Sequence, residues 1–405
     1  MLQMPDFPPI KYDLQTRFGS IYGNEELQAI QECLTQDAPT SGKKTEEFET
    51  EFARYCGTKF AIACNNGTAA LILAYKAINL QPGDEVITTP ITWIATAAAA
   101  VTLGASIKFC DVDPTTLNMD PSTLESLITP KTKAICPVHL YGQPADMDLI
   151  LEIAHAHQLP VIEDAAHTVG GKYKGKMAGN LGDIAIFSFH EQKNMSTLGE
   201  GGMVTTNNPA FFERARSYKS HCARVIGKST KYLPLPDDVA RDAIAHGRFW
   251  MQDFDDCGYN FRMNDMSATV GLCQLKKLDA MNSRRWEIAK IITDHLTKMA
   301  GIVPARVIEG VHHVYHLYPI FLASSHPLIT RDQFIFTMRA NYGIKCGIHY
   351  MPLVQTLAFQ RRGHRIKECP VACERWQHLV TLPIHPRMEA EHLDYMLNAI
   401  HQIMT

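Results

Sequence analysis

From about Lys59 to Phe212, short β-branched runs alternate with stretches of helical pattern, and strict alternation of this kind points to a mainly parallel α/β sheet. Strands are predicted over 60–64, 85–89, 106–110, 133–138, 160–163, 184–188 and 203–206, with helices over 68–78, 93–103, 121–128 and 147–158 long enough for the crossovers between them. Ligands of such sheets sit beyond the C-terminal ends of the strands. After Gly258 the texture changes: a helical pattern runs over 266–299, with apolar residues at helical spacing and Lys or Arg between them. Strand-like runs at 314–323 and 344–348 and helices at 331–342 and 389–404 then predict a smaller α+β unit. A chain of 405 residues exceeds one ordinary core, so two domains are expected. Residues 1–265 would hold an N-terminal arm and the large domain, and 266–405 a bridging helix and the small domain. The segment 225–256, with its Pro234-Leu-Pro236, is long for a simple connection. It reads either as an insertion that shapes specificity or as an ordered surface loop without a role.

Composition narrows the function classes. A hydrophobic fraction of 46% and a charged fraction of 20% give ample apolar area to bury, so disorder is not expected. The net charge of -3 comes from interspersed signs, and no basic block suggests nucleic acid as a partner. The first residues lack the basic and apolar regions of a secretory signal, and the alanine-rich stretch 94–103 is too short to span a bilayer. Eleven scattered cysteines without CxxC pairing are expected to be reduced thiols of a cytoplasmic protein. No metal site is predicted: Cys369 and Cys373 are isolated, and His312, His313 and His316 fall in a context that reads as strand. The sequon at Asn66-Gly67-Thr68 lies where a buried turn is expected, which argues against glycosylation.

The richest stretch is Phe187-Ser-Phe-His-Glu-Gln-Lys193-Asn-Met-Ser-Thr-Leu-Gly-Glu-Gly-Gly202. One lysine stands between an apolar strand and a glycine-rich turn, and tight packing around it favours burial and a lowered amine pKa. Upstream, Pro160-Val-Ile-Glu-Asp164-Ala-Ala-His167 is a second apolar strand whose end delivers a carboxylate. Pyridoxal 5'-phosphate (PLP) needs this pairing: the lysine holds the aldehyde as a Schiff base, and the aspartate keeps the pyridine nitrogen protonated. A solvated lysine and a helix-capping aspartate are the plainer readings. Asn66-Gly67-Thr68 follows a strand and opens a helix, a candidate phosphate cup or an ordinary N-cap. No GxGxxG follows a predicted strand, so a dinucleotide enzyme is discounted. Trp93 could stack on a cofactor ring or fill the core, and Ser188 could bind phosphate or face solvent. His190 and Glu191 would line the entrance.

Taken in order, Asn-Gly-Thr-Ala at 66–69, Asp-Ala-Ala-His at 164–167, Ser-Phe-His-x-x-Lys-Asn at 188–194 and Gly-Tyr-Asn-Phe-Arg-Met at 258–263 resemble the DegT/DnrJ/EryC1/StrS family of sugar aminotransferases. The resemblance continues through Ile91-Thr-Trp93, Pro137-Val-His-Leu-Tyr-Gly142, Val314-Tyr-His-Leu-Tyr318, His349-Tyr-x-Pro-Leu353 and Leu382-Pro-Ile-His385-Pro. It implies PLP-dependent fold type I, with a mainly parallel seven-stranded sheet in the large domain, and a homodimer with shared active sites. By the same resemblance Lys193 forms the Schiff base, Asp164 pairs with the pyridine nitrogen, and Trp93 and His167 flank the ring. Gly67, Thr68 and Ser188 would hold the phosphate, Asn260 would reach across from the partner subunit, and His190, His349 and Tyr350 would face substrate. The implied reaction is ping-pong transfer of an amino group from L-glutamate or L-glutamine to a keto sugar, nucleotide-linked in most relatives.

Two departures fall at the expected substrate entrance. Cys222 stands where many relatives carry glycine, and Val354-Gln355 where a histidine commonly follows the Pro-Leu pair. They put any particular sugar in doubt, and because the motif from Lys193 to Gly202 is shared in style by nucleotide-sugar and cyclitol enzymes, a keto-cyclitol such as an inosose is the alternative acceptor. A sugar 3-dehydratase of the same scaffold would carry histidine in place of Lys193, and an amino-acid transaminase would single out a late arginine, which no motif here does. A non-catalytic PLP-binding regulator is the remaining alternative.

Overall fold

The computed structural model describes residues 19–35, 40–225, 246–247, 252–323 and 329–405. Seven strands build its main sheet: β1 (Phe60–Cys64), β2 (Glu85–Thr88), β3 (Ser106–Phe109), β4 (Thr132–Cys136), β5 (Ile162–Asp164), β6 (Ile184–Ser188) and β7 (Gly202–Thr206). Pairing gives β3-β2-β4 and β5-β6-β7-β1, and parallel bridges Ile135 to Val161 and Val138 to Asp164 join the two sets edge to edge. Only β7 runs against its neighbours, in register with Ile184–Ser188 on one side and Phe60–Cys64 on the other. β6 and β7 are buried along their whole length, as expected of strands covered by helices on both faces.

The covering helices are α1 (Asn24–Leu34), α2 (Lys43–Cys56), α3 (Gly67–Ala77), α4 (Ala95–Thr102), α5 (Met147–Ala156), α6 (Pro209–Lys219) and the first half of α7 (Asp265–Leu296). Asn66 opens α3 by accepting from the Ala69 N–H at 2.8 Å, and Asn264 opens α7 by accepting from Ser267 in the same way. α7 belongs to two cores. Ala268, Leu272, Leu278 and Met281 pack with Phe48, Phe187 and Phe189, whereas Ile288, Ala289, Ile292 and Leu296 pack under a second sheet. That sheet is antiparallel: β8 (Ile302–Pro304), β9 (Tyr318–Leu322) and β10 (Leu379–Leu382), in the order β8-β9-β10 and covered by α8 (Arg331–Tyr342) and α9 (Ala390–Met404). No helix of the described residues is long and apolar enough to cross a membrane.

Several boundaries differ from the sequence reading, each for a local reason. The helix expected from Trp93 begins at Ala95, because Thr92 and Thr96 hydroxyls meet at 2.9 Å and the Trp93 carbonyl accepts from Thr96 in a turn. The strand expected over 314–323 is confined to 318–322. Val314 and Leu317 give their N–H groups to Gly142 and Tyr141 instead, which docks 314–317 onto the loop after β4. The strand expected over 344–348 reduces to one bridge, Gly347 to Thr381. Of the long segment 225–256, a two-stranded stem is described, Ala223–Val225 against Gln252–Phe254, and 226–245 and 248–251 lie outside the described residues.

Candidate active site

Asp164 ends β5 and is only 4% exposed. Its neighbour Glu163 points to the other face, as alternate strand residues must, and anchors the strand there. The Glu163 carboxylate accepts from the Gly179, Leu181 and Gly182 N–H groups and from His139 Nε2, all at 2.7–2.9 Å. On the site face, Asp164 accepts from the Thr96 hydroxyl at 2.7 Å and the Ala166 N–H at 3.1 Å. Burial pushes this carboxyl above its ordinary value, while those two hydrogen bonds and the nearby Lys193 charge pull it back. Among the described residues it meets no cation in a hydrogen-bonded pair. A buried carboxylate so placed gains from a positive partner supplied by a ligand.

One strand along, β6 ends at Ser188 and the chain enters a closed turn. Phe189 and Gly201 pair through a 2.8 Å hydrogen bond, Glu191 donates to Gly199, and Lys193 donates its N–H to the His190 carbonyl. Lys193 is held half-buried in that turn, and burial lowers its amine to about 8 against the opposing pull of Asp164 and Glu200. From below, Ser20 accepts from the Ser196 N–H at 2.7 Å, and Gly19 lies so close that a Cβ there would meet the Lys193 carbonyl oxygen at 1.6 Å.

The start of α3 closes the third side. Gly67 is pressed against β6, where a Cβ would come within 2.8 Å of Ser188 Cβ. The Gly67 and Thr68 N–H groups precede the first intrahelical bonds, and among the described residues neither they nor the Thr68 hydroxyl meets a protein acceptor. Two unpaired N–H groups at a helix N-terminus, with the Thr68 and Ser188 hydroxyls beside them, form a cradle for a phosphate. A lysine amine lowered to about 8, a buried carboxylate without a hydrogen-bonded cation and this cradle together fit the aldehyde, ring nitrogen and phosphate of PLP.

A wall of rings completes the site. His167, buried beside Asp164, accepts from the Tyr141 N–H through Nδ1 at 3.4 Å and faces the Tyr350 hydroxyl through Nε2 at 3.4 Å. Trp93 is 61% exposed, its ring centroid 6.0 Å from that of Tyr350. The His349 carbonyl accepts from the Tyr141 hydroxyl, and burial lowers the His349 imidazole to about 4, with Lys193 adding to the effect. Lys193, Asp164, His167, His349, Tyr350 and Trp93 thus converge, as do Gly67, Thr68 and Ser188. His190 turns outward, its Nε2 at 3.9 Å from Glu200. Asn260 is exposed, bridged to Ser220, with no described contact to the phosphate cradle. Thr96, Tyr141 and Asn194 were given no role from sequence, and His316 was weighed only as a metal ligand. A threonine inside an alanine-rich helix gave a usable signal, while the others show nothing until the chain folds.

The model of the DegT/DnrJ/EryC1/StrS aminotransferase family matches residues 20–401. The chain is 37% identical over 385 residues to the spore coat polysaccharide biosynthesis protein SpsC of Bacillus subtilis, covering 95% of each chain. Among solved structures it superposes on DesV of S. venezuelae, determined in complex with a ketimine intermediate, with a TM-score of 0.82 at 31% identity and 94% of each chain covered. On the PMP-form of the putative sugar aminotransferase Spr1654 of Streptococcus pneumoniae the TM-score is 0.86 at 25% identity, covering 96% of this chain and 97% of that one. The mixed sheet, with its single reversed strand, is that of PLP-dependent fold type I. The chain belongs to the DegT/DnrJ/EryC1/StrS family of PLP-dependent sugar aminotransferases.

Proposed function

We propose that this aminotransferase moves an amino group from L-glutamate or L-glutamine to a nucleotide-linked keto sugar in two ping-pong half-reactions. The observation that carries the reading is the buried Asp164 carboxylate, held by Thr96 and the Ala166 N–H at the end of one strand, beside the neighbouring strand whose following turn carries Lys193, an amine lowered to about 8. Bound PLP supplies an aldehyde that condenses with amines and a ring that draws electrons from the adjoining carbon. The protein's own groups do the rest. Lys193 holds the cofactor and, once displaced, takes the proton from the donor's α-carbon and returns it one position along. Asp164 holds the proton on the ring nitrogen. The N–H groups of Gly67 and Thr68, with the hydroxyls of Thr68 and Ser188, would hold the phosphate, and His167 and Trp93 would flank the ring. His349 and Tyr350 line the acceptor side and His190 its entrance. In the homodimer we propose, Asn260 of each subunit serves the other subunit's phosphate cradle. The division at 265/266 would let α7 carry a small domain that closes over the acceptor. A sugar acceptor is favoured by the similarity to a polysaccharide biosynthesis protein.

The visible absorption of the purified holoenzyme tests the first half-reaction. With L-glutamate or L-glutamine the band is expected to move to that of the aminated cofactor, after which keto sugars are screened for its return. A spectrum that neither donor shifts, on a protein that binds PLP, would favour a regulator over an enzyme.

The lowered amine carries its own prediction. At pH 7 a group titrating at about 8 is neutral in about one molecule in ten, against about one in three thousand at the ordinary lysine value. Capture of PLP by the apoprotein needs the neutral amine. Its rate is expected to climb about tenfold per pH unit up to about pH 8 and to level off above. A rate still climbing at pH 10 would mean that the amine is not perturbed.

A further inference from the structure

The residue after the lysine, Asn194, is 2% exposed and belongs to a buried polar chain that the reaction chemistry does not use. Its direction can be read from its far end. The Val169 carbonyl is an obligate acceptor, so the side-chain nitrogen of Asn282, at 2.9 Å, must point to it. Asn282 Oδ1 is then the acceptor facing Asn194 Nδ2, at 2.9 Å, and that same nitrogen also gives a hydrogen to the Val314 carbonyl at 2.9 Å. Both amide hydrogens of Asn194 are thereby committed. Its Oδ1 faces His316 Nδ1 at 3.2 Å, which must therefore carry a proton. On the other side, the His316 ring lies against His167, centroids 4.3 Å apart at 42°. The chain is packed without slack: a Cβ on Gly170 would reach Asn282 Nδ2 at 2.5 Å, and one on Gly142 would reach the His316 backbone nitrogen at 2.9 Å.

We infer that His316 is a positioning residue for cofactor capture: its Nδ1–H fixes the Asn194 amide, and with it the turn that presents Lys193, while its ring backs His167. The inference rests on the reading of Lys193 as the residue that holds PLP. Two backbone carbonyls, at 169 and 314, set the hydrogen-bond direction along the chain, so neither asparagine nor His316 can flip without leaving a buried donor or acceptor unpaired. α7, which supplies Asn282, is in this way coupled to the turn after β6 by side chains alone. His316 is not a proton donor to substrate in this account. Its part is to keep the amine and the His167 face in one geometry before the cofactor arrives.

The test replaces one function of the imidazole at a time and reads PLP capture by the apoprotein together with the visible circular dichroism per bound cofactor. His316→Phe keeps a ring and loses the donor, whereas His316→Asn keeps a donor where Nδ1 stood. Capture by His316→Phe is expected to slow about tenfold, with weakened dichroism, and His316→Asn to recover to within about threefold of the wild-type rate. Asn282→Leu breaks the same chain from its far end and should slow capture like His316→Phe; it carries the test alone if His316→Phe does not fold. Wild-type rates throughout, or equal losses in His316→Phe and His316→Asn, would overturn the positioning role. Borohydride separates this from the underlying reading. If Lys193→Ala still yields a reduced covalent adduct, the assignment of Lys193 fails; if Lys193→Ala yields none while the wild type and the His316 variants yield it at equal rates, the positioning role alone fails.

Discussion

Lys193→Ala is expected to slow the first half-reaction by about 10⁴-fold while leaving the cofactor bound through its phosphate. The two parts of this expectation come from different elements. Phosphate retention depends on the start of α3 and on Ser188, and neither needs the lysine side chain: Gly67 is seated against Ser188, and Asn66 caps the helix with its own amide. On the proposed reading the rate depends on one amine doing two jobs, holding the aldehyde and moving the α-proton. Among the described residues the site offers no second group for either. His167 and His316 are buried neutral rings whose basicity falls well below the ordinary imidazole value, and His349 lies at about 4. A base that weak takes a carbon-bound proton poorly. Rapid mixing of the holoprotein with donor, followed at the cofactor band, measures the loss, and added methylamine should restore part of it by standing in for the missing amine. Retention of more than about a hundredth of the wild-type rate would show that another group moves the proton.

The parts of this site that were legible in the sequence share one property, which is that each lies within a single run of chain. β1 and β6 were bounded as observed because each short run of apolar residues ends against a polar one, at Asn65 and at Ser188. Asp164 and Lys193 stand at such stops. What could not be read are residues defined by a partner far along the chain. Thr96 matters because Asp164 lies opposite, Asn194 because α7 brings Asn282 to it, and His316 because 314–317 pairs with the loop at 141–142 rather than extending β9. No periodicity encodes such meetings. Trp93 shows the intermediate case: its neighbourhood was legible, but the turn before α4 leaves the indole exposed beside Tyr350, where the expected helix would have carried it into the first turn.

Asp164→Asn separates what the carboxylate does for chemistry from what it does for the fold. Burial raises this carboxyl above its ordinary value, so folding disfavours its charged form, and at neutral pH the ionised aspartate costs stability rather than adding it. The amide removes that cost. Both hydrogen bonds can be kept: the amide oxygen accepts from the Ala166 N–H, and the amide nitrogen donates to the Thr96 hydroxyl, which turns its own proton to the Trp93 carbonyl. With the charge cost removed and both hydrogen bonds kept, the melting temperature of the apoprotein is expected to stay at or somewhat above the wild-type value. Transfer should not survive so well. An amide cannot hold a proton on the ring nitrogen, and loss of one preorganised charge at a reacting centre slows chemistry by about 10²- to 10³-fold. Apoprotein melts and single-turnover rates with donor, measured on the same preparation, give both numbers. A stable Asp164→Asn protein that transfers slowly identifies the carboxylate as a functional charge maintained against the preference of the fold. One that unfolds readily and, where folded, transfers at the wild-type rate would make Asp164 a structural cap for the turn that begins at Ala165.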